Sequence, residues 1–166
     1  MSEVNSNTEL NKIVAFLNEI GINIIEKQLD EPTFLPGLTL GPNCVYIDYE
    51  KLSYPGDILH EAGHIAVTSP TDRARIGTET MAKDWPSQGE EIATMLSSFA
   101  ACKHLNLPLD YVFHAGGYKG SSNWLMDNFD TGNYIGLPFF EWTQMAYSKE
   151  KAVEMNVPSF PEMVKW

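Results

Sequence analysis

Two histidines one helical turn apart, set inside an apolar run, constrain this chain more than any other feature. Residues 58–67 read Ile-Leu-His-Glu-Ala-Gly-His-Ile-Ala-Val. On an α-helix, positions i and i+4 lie on one face, so His60 and His64 can aim an imidazole nitrogen at a common point. Glu61 is rotated about 100° from His60 and about 60° from His64, by the period of about 3.6 residues. It therefore borders the same face without lying in line with both rings. The apolar flanks Ile58-Leu59 and Ile65-Ala66-Val67 suit a buried central helix. Ser53-Tyr54-Pro55 opens that helix, with Pro55 near its first position, and Ser69-Pro70 stops it after about Thr68.

This spacing points to a metal. Neutral imidazoles suit zinc, and two of them leave its tetrahedron open for one more protein ligand and a water. A carboxylate at the position of Glu61 is placed to take a proton from that water rather than to bind the ion. The proton then passes to a leaving amine. Gly63 costs about 1 kcal/mol in a helix interior, which makes sense where another backbone or a substrate passes close.

Candidates for the third ligand are Asp72, Glu79, Asp84, Glu90, Glu91 and His104. Ser87-Gln88-Gly89-Glu90 has the form of a capping box opening a helix that runs to about Leu105. Its apolar stripe is Ile92, Met95, Leu96 and Phe99. At about 100° per residue, Glu90 points away from that stripe, alongside Thr94 and Ser97, whereas Glu91 lies at its edge near Met95. Glu90 also has a role as the capping carboxylate of Ser87. Glu91 is therefore the expected ligand, and its competing role is a favourable charge in the first helical turn.

The rest of the chain supplies the frame. Residues 1–7 read as a frayed N-terminus. Leu10, Ile13, Val14, Leu17 and Ile20 mark one face of a helix opened by Thr8 and ended by Gly21. Ile22–Ile25 reads as a short strand, and residues 38–40 and 44–48 as a hairpin about Gly41-Pro42-Asn43. Residues 70–86 read as a polar surface loop. Beyond Pro108 shorter pieces at 109–114, 121–129 and 138–147 are divided by Gly116-Gly117, Gly132 and Pro138, and the tail from Val157 reads as irregular. Helix, strands, then helices imply an α+β class. The length of 166 residues suits one domain, 1–166, with a helical C-terminal section at 107–166.

"DILHEAGH", followed 27 residues after His64 by "EEIATMLSSFAA", resembles the ImmA/IrrE-type zincin metallopeptidases. The resemblance covers roughly residues 38 to 105. It implies a minimal gluzincin-like fold, a small antiparallel or mixed sheet on two core helices, one carrying HExxH and the next the third ligand. It also implies zinc and peptide-bond hydrolysis, with His60, His64 and Glu91 as ligands and Glu61 as general base. Zincins place an edge strand ahead of the metal helix, the place of the strand at Cys44–Asp48. Such a strand can pair with an extended peptide.

Composition narrows the partners. The chain has 22 acidic and 11 basic residues, a net charge of −11. Such a surface repels phosphate backbones and anionic lipid, so neither nucleic acid nor a membrane is the expected partner. A peptide or protein substrate is. No apolar run reaches the length of about 20 residues needed to span a bilayer, and the N-terminus has no pattern of a secretory signal. Cys44 and Cys102 read as reduced core thiols, and a cytoplasmic setting follows. A zincin needs a donor to steady an oxyanion; His114 and Tyr118 are the candidates, with Tyr111 beside them near Gly116-Gly117. Trp124, Phe129, Tyr134, Phe139, Phe140 and Trp142 read as core. Arg73 and Arg75 are candidate clamps for a substrate carboxylate, or solvated loop residues. The alternatives to a peptidase are a zincin-fold interaction or regulatory module without catalysis, and a zinc hydrolase acting on a non-peptide amide.

Overall fold

A computed structural model describes residues 2–166, with side chains from Thr8 onward. Two compact units divide the chain, Met1–Trp85 and Pro86–Trp166. The division falls well before residue 107, so the expected third-ligand helix shares a unit with the C-terminal section.

In the first unit, α1 spans Ser2–Glu19. The expected fraying falls on residues 1–7; Met1 lies outside the described residues, and α1 already includes 2–7. Ile13, Phe16 and Leu17 are buried at helical spacing. Gly21 ends the helix at φ 90°, and Ile22 N–H reaches back to the Leu17 carbonyl at 2.9 Å. That is the left-handed glycine stop the sequence announces.

Three strands follow: β1 (Asn23–Glu26), β2 (Leu38–Gly41) and β3 (Cys44–Ile47). Their order is β1-β3-β2. β1 runs parallel to β3, and β2 antiparallel to it with Gly41 opposite Cys44. The sheet is therefore mixed, and the α+β class holds. One expectation is corrected here. The strand at Cys44–Ile47 is central, with a partner on each side, so it is no edge strand for a peptide to join. Only pairing with β1, distant in sequence, decides this. Val45 and Ile47 are fully buried, as a central strand requires.

The HExxH helix, α2 (Asp57–Ala66), packs on α1, β2 and β3. Beyond it the expected polar loop contains a short helix, α3 (Pro70–Arg73), with Ser69 before it and Pro70 at its first position. The loop expectation also fails at Ile76, which is fully buried. Beside it Gly77 has φ 78°, and a Cβ there would meet the Leu40 carbonyl at 3.0 Å. The chain thus lies along the end of β2, a close approach only glycine allows.

The second unit begins with α4 (Gln88–His104). The capping box is present: Ser87 Oγ accepts from Glu90 N–H at 3.2 Å, and Glu90 Oε1 accepts from Ser87 N–H at 3.4 Å. The expected single stripe is not. Thr94, Ser97, Ser98 and Ala101 are buried as well as Leu96 and Phe99. A helix of small residues such as Ala93, Ser97, Ala100 and Ala101 can be enclosed on every side, and its polar hydroxyls turn inward, as Thr94 Oγ1 does to the Glu90 carbonyl at 2.8 Å.

Further helices are α5 (Leu109–Val112), α6 (Ser122–Asp130), α7 (Leu137–Trp142) and α8 (Lys149–Met155), with a 3-10 turn at Tyr118–Gly120. α8 falls between the expected pieces and the irregular tail, and Ser148 caps it through Lys151 N–H. Phe99, Phe113, Phe129, Phe140 and Phe160 form an aromatic core, linked through ring contacts such as Phe99–Phe129 at 5.2 Å. Trp124 and Trp142, expected in that core, are exposed at 57% and 79%. Cys44 and Cys102 are buried free thiols. Among the described residues no helix is long and apolar enough to cross a membrane.

Candidate metal centre

Pro55 and Gly56 lead into α2 through a tight turn, in which Asp57 and Ile58 N–H groups bond the Tyr54 and Pro55 carbonyls at 3.0 and 3.1 Å. From there the helical period does the placing. Of the ten residues in α2, nine are buried and Glu61 alone is half-exposed. His60 and His64 are each only 7% exposed. Their rings meet edge to face, with centroids 4.9 Å apart and planes at 86°. One donor atom from each of His60, Glu61 and His64 lies within 4.8 Å of the others.

Such a donor set could hold a metal ion. Bonds of about 2.0–2.1 Å to two tetrahedral ligands hold their nitrogens about 3.4 Å apart. A group confined within 4.8 Å is a small side-chain rotation from that spacing. Two neutral imidazoles are also ligands that a borderline-soft divalent ion accepts. Both rings are buried, whereas Glu61 is half-exposed.

No protein-family model, curated protein or solved structure matches this chain. The geometry of α2 and its surroundings therefore carries the functional argument.

The turn after His64 is tied down by three side chains the sequence reading did not single out for this role. Thr68 Oγ1 donates to the His64 carbonyl at 2.6 Å. Trp85 Nε1 donates to Thr68 Oγ1 at 3.0 Å, and the indole meets the His64 ring edge-on at 5.9 Å between centroids. Arg73 closes the helix end: Nε donates to the Thr68 carbonyl at 3.0 Å and Nη2 to the Ala66 carbonyl at 2.9 Å. Burial pushes the Arg73 guanidinium below its usual pKa. With its donors committed to α2, Arg73 is a helix cap rather than a substrate clamp. Arg75 instead pairs with Asp72 at 3.6 Å on the surface. The only sequence signal for Trp85 was a tryptophan immediately before a proline at the end of a polar stretch.

Of the remaining candidates, Asp72, Glu79 and Asp84 lie in the first unit and the others in the second. Glu91 is half-buried in the first turn of α4, its N–H on the Ser87 carbonyl at 2.9 Å, next to the Glu90 that closes the capping box. His114 is half-buried after α5, and its carbonyl accepts from Ser122 Oγ at 2.6 Å. Its ring lies against Gly117, where a Cβ would come within 3.1 Å of Cε1. It also lines a cavity of about 310 Å³ with Asp110, Asn123 and Met126. Tyr118 packs its ring on Phe113 at 5.2 Å. Tyr111 is half-buried in α5, and His104 is exposed, with its ring against Trp166 at 5.5 Å.

Proposed function

We propose that this protein is a zinc-dependent hydrolase of zincin-like fold, and that the bond it cleaves is a peptide bond. One observation carries the reading: two buried imidazoles and one half-exposed carboxylate gather their donor atoms within 4.8 Å on a single helix. A purely structural metal site has no need of a carboxylate beside its ligands on the solvent side.

Bound zinc would polarise a carbonyl and bring the acidity of water toward neutrality. His60 and His64 would hold the ion, and Glu91, on sequence grounds, would supply the third protein ligand. Glu61 works in proton transfer: a carboxylate oxygen takes the proton of the attacking water and returns it to the departing amine. Its half-exposure supports that role, since a base must reach water, and the rigidity of α2 keeps it beside both rings.

Elemental analysis of the purified chain tests the metal directly. About one zinc per chain is expected, and His60→Ala or His64→Ala should lose most of it. Glu91→Ala should weaken retention if the third-ligand assignment holds. Glu61→Gln should keep zinc yet abolish cleavage of a peptide library. A wild-type protein that takes up no zinc sinks the enzyme reading, and zinc without any hydrolysis leaves a non-catalytic binding module.

A further inference from the structure

Residues 77–84 are exposed apart from half-buried Met81, yet the next residue, Trp85, returns to α2. Its contacts there converge on one residue. The indole edge meets the His64 ring, with centroids 5.9 Å apart and planes at 63°. Its Nε1–H donates to Thr68 Oγ1 at 3.0 Å, and that hydroxyl in turn donates a hydrogen bond to the His64 carbonyl at 2.6 Å. Thr68 is 5% exposed, so both bonds are shielded from water. One aromatic side chain thus limits His64 from the ring side and, through a buried hydroxyl, from the backbone side.

We propose that Trp85 is a positioning residue for His64: through its ring and through Thr68 it holds that imidazole in the orientation needed to capture a metal. The inference rests on the reading of His60 and His64 as ligands. Groups that orient a ligating histidine without touching the ion commonly set metal affinity within a factor of about 10–100. A tryptophan that served only to anchor the chain would leave metal capture unchanged.

Co2+ alone, titrated into the metal-free full chain, separates these cases, because its visible absorption reports ligand geometry and it quenches nearby indole emission. In the wild type, bound Co2+ should quench the share of emission that is missing from Trp85→Phe. Trp85→Phe and Thr68→Val should each weaken Co2+ binding about tenfold and alter its visible bands, while Thr68→Ser, which keeps the hydroxyl, should restore both. The double variant should be no weaker than the worse single one, since the two side chains act as one unit. Wild-type affinity and spectrum in Trp85→Phe, or in Thr68→Val should the tryptophan variant not fold, overturn the proposal while leaving the metal site standing. A wild-type protein that binds no Co2+ overturns the metal reading itself, and the positioning role with it.

Discussion

Replacing Arg73 by alanine removes both hydrogen bonds that close α2, from Nε to the Thr68 carbonyl and from Nη2 to the Ala66 carbonyl. A hydrogen bond from a charged donor contributes about 1.5–3 kcal/mol when buried. Arg73 is only half-buried, so the lower end applies and solvent screening discounts it further. The cation also lies at the helix C-terminus, where it adds about 0.3–1 kcal/mol. Ala66 is 6% exposed, so its carbonyl cannot simply exchange Arg73 for bulk water. Together these give a loss of about 2–3 kcal/mol for Arg73→Ala. With a urea slope of about 1–3 kcal/mol per molar, the midpoint of the transition that unfolds the first unit should fall by about 1 M or more. Two controls divide the effect. Arg73→Met keeps most of the stem and loses the fork, and should recover only the packing share. Arg73→Lys keeps the charge but cannot hold two carbonyls at once, and should recover less than half. Urea titrations followed by circular dichroism and tryptophan emission read all three. A change under about 0.5 kcal/mol for Arg73→Ala, the range of ordinary surface substitutions, or an Arg73→Met variant as stable as the wild type, would refute the capping argument.

Asp48 should make stability depend on pH in one direction. Its carboxylate accepts from Leu29 N–H at 2.9 Å and from Glu50 N–H at 3.2 Å, with Lys51 nearby, and the Leu29 bond leads in holding its pKa below the ordinary value. The unfolded value is about 3.9, so the contribution is fully present above it and is lost as pH falls through the lower folded value. Urea midpoints of wild type and Asp48→Ala should therefore differ by a constant amount from about pH 5 to 8 and converge in acid; a gap that persists undiminished to pH 2 contradicts this. Cys102 should resist thiol reagents in the folded protein, because burial pushes its pKa up to about 12 and Sγ donates to the Leu107 carbonyl at 3.2 Å. Mass spectrometry after brief alkylation at pH 8 should find it unmodified until denaturant is added, and rapid labelling of the native chain would show that assignment to be mistaken.

What could be read from sequence follows the range over which each feature is decided. The Gly21 stop, the Ser87–Glu90 capping box and the turn at Gly41–Asn43 each depend on a few adjacent residues, and all are present. The grouping of His60, Glu61 and His64 is local in the same sense, because the helical period alone brings them together. Strand order is not local. Nothing within Cys44–Ile47 tells that β1 will join it in parallel and make it central. Nor could polarity reveal Ile76 buried in a hydrophilic stretch, or Trp85 returning to Thr68 across 17 residues. Short helices such as α3 and α8 open at Ser69 and Ser148, residues that also suit turns, and only Ser148 caps its helix through its side chain.

The choice between Glu90 and Glu91 rests on two premises, and the burial of α4 removes one of them. The helical wheel set Glu90 on a solvent side shared with Thr94 and Ser97, yet Thr94 is fully buried and Ser97 is 4% exposed. An apolar stripe therefore does not define the inward face of α4, whose small residues let it be enclosed all round. The other half of the argument stands, because the side chain of Glu90 is occupied with the Ser87 amide. Glu91 is not the carboxylate of that capping box, and a first-turn carboxylate gains from the helix dipole with or without a metal. A ligand that must come from a second helix is a tertiary property, set by packing rather than by period. That is why the grouping of two histidines and a glutamate on α2 is legible in five residues of sequence, while the proposed role of Glu91 is tested by metal retention in Glu91→Ala.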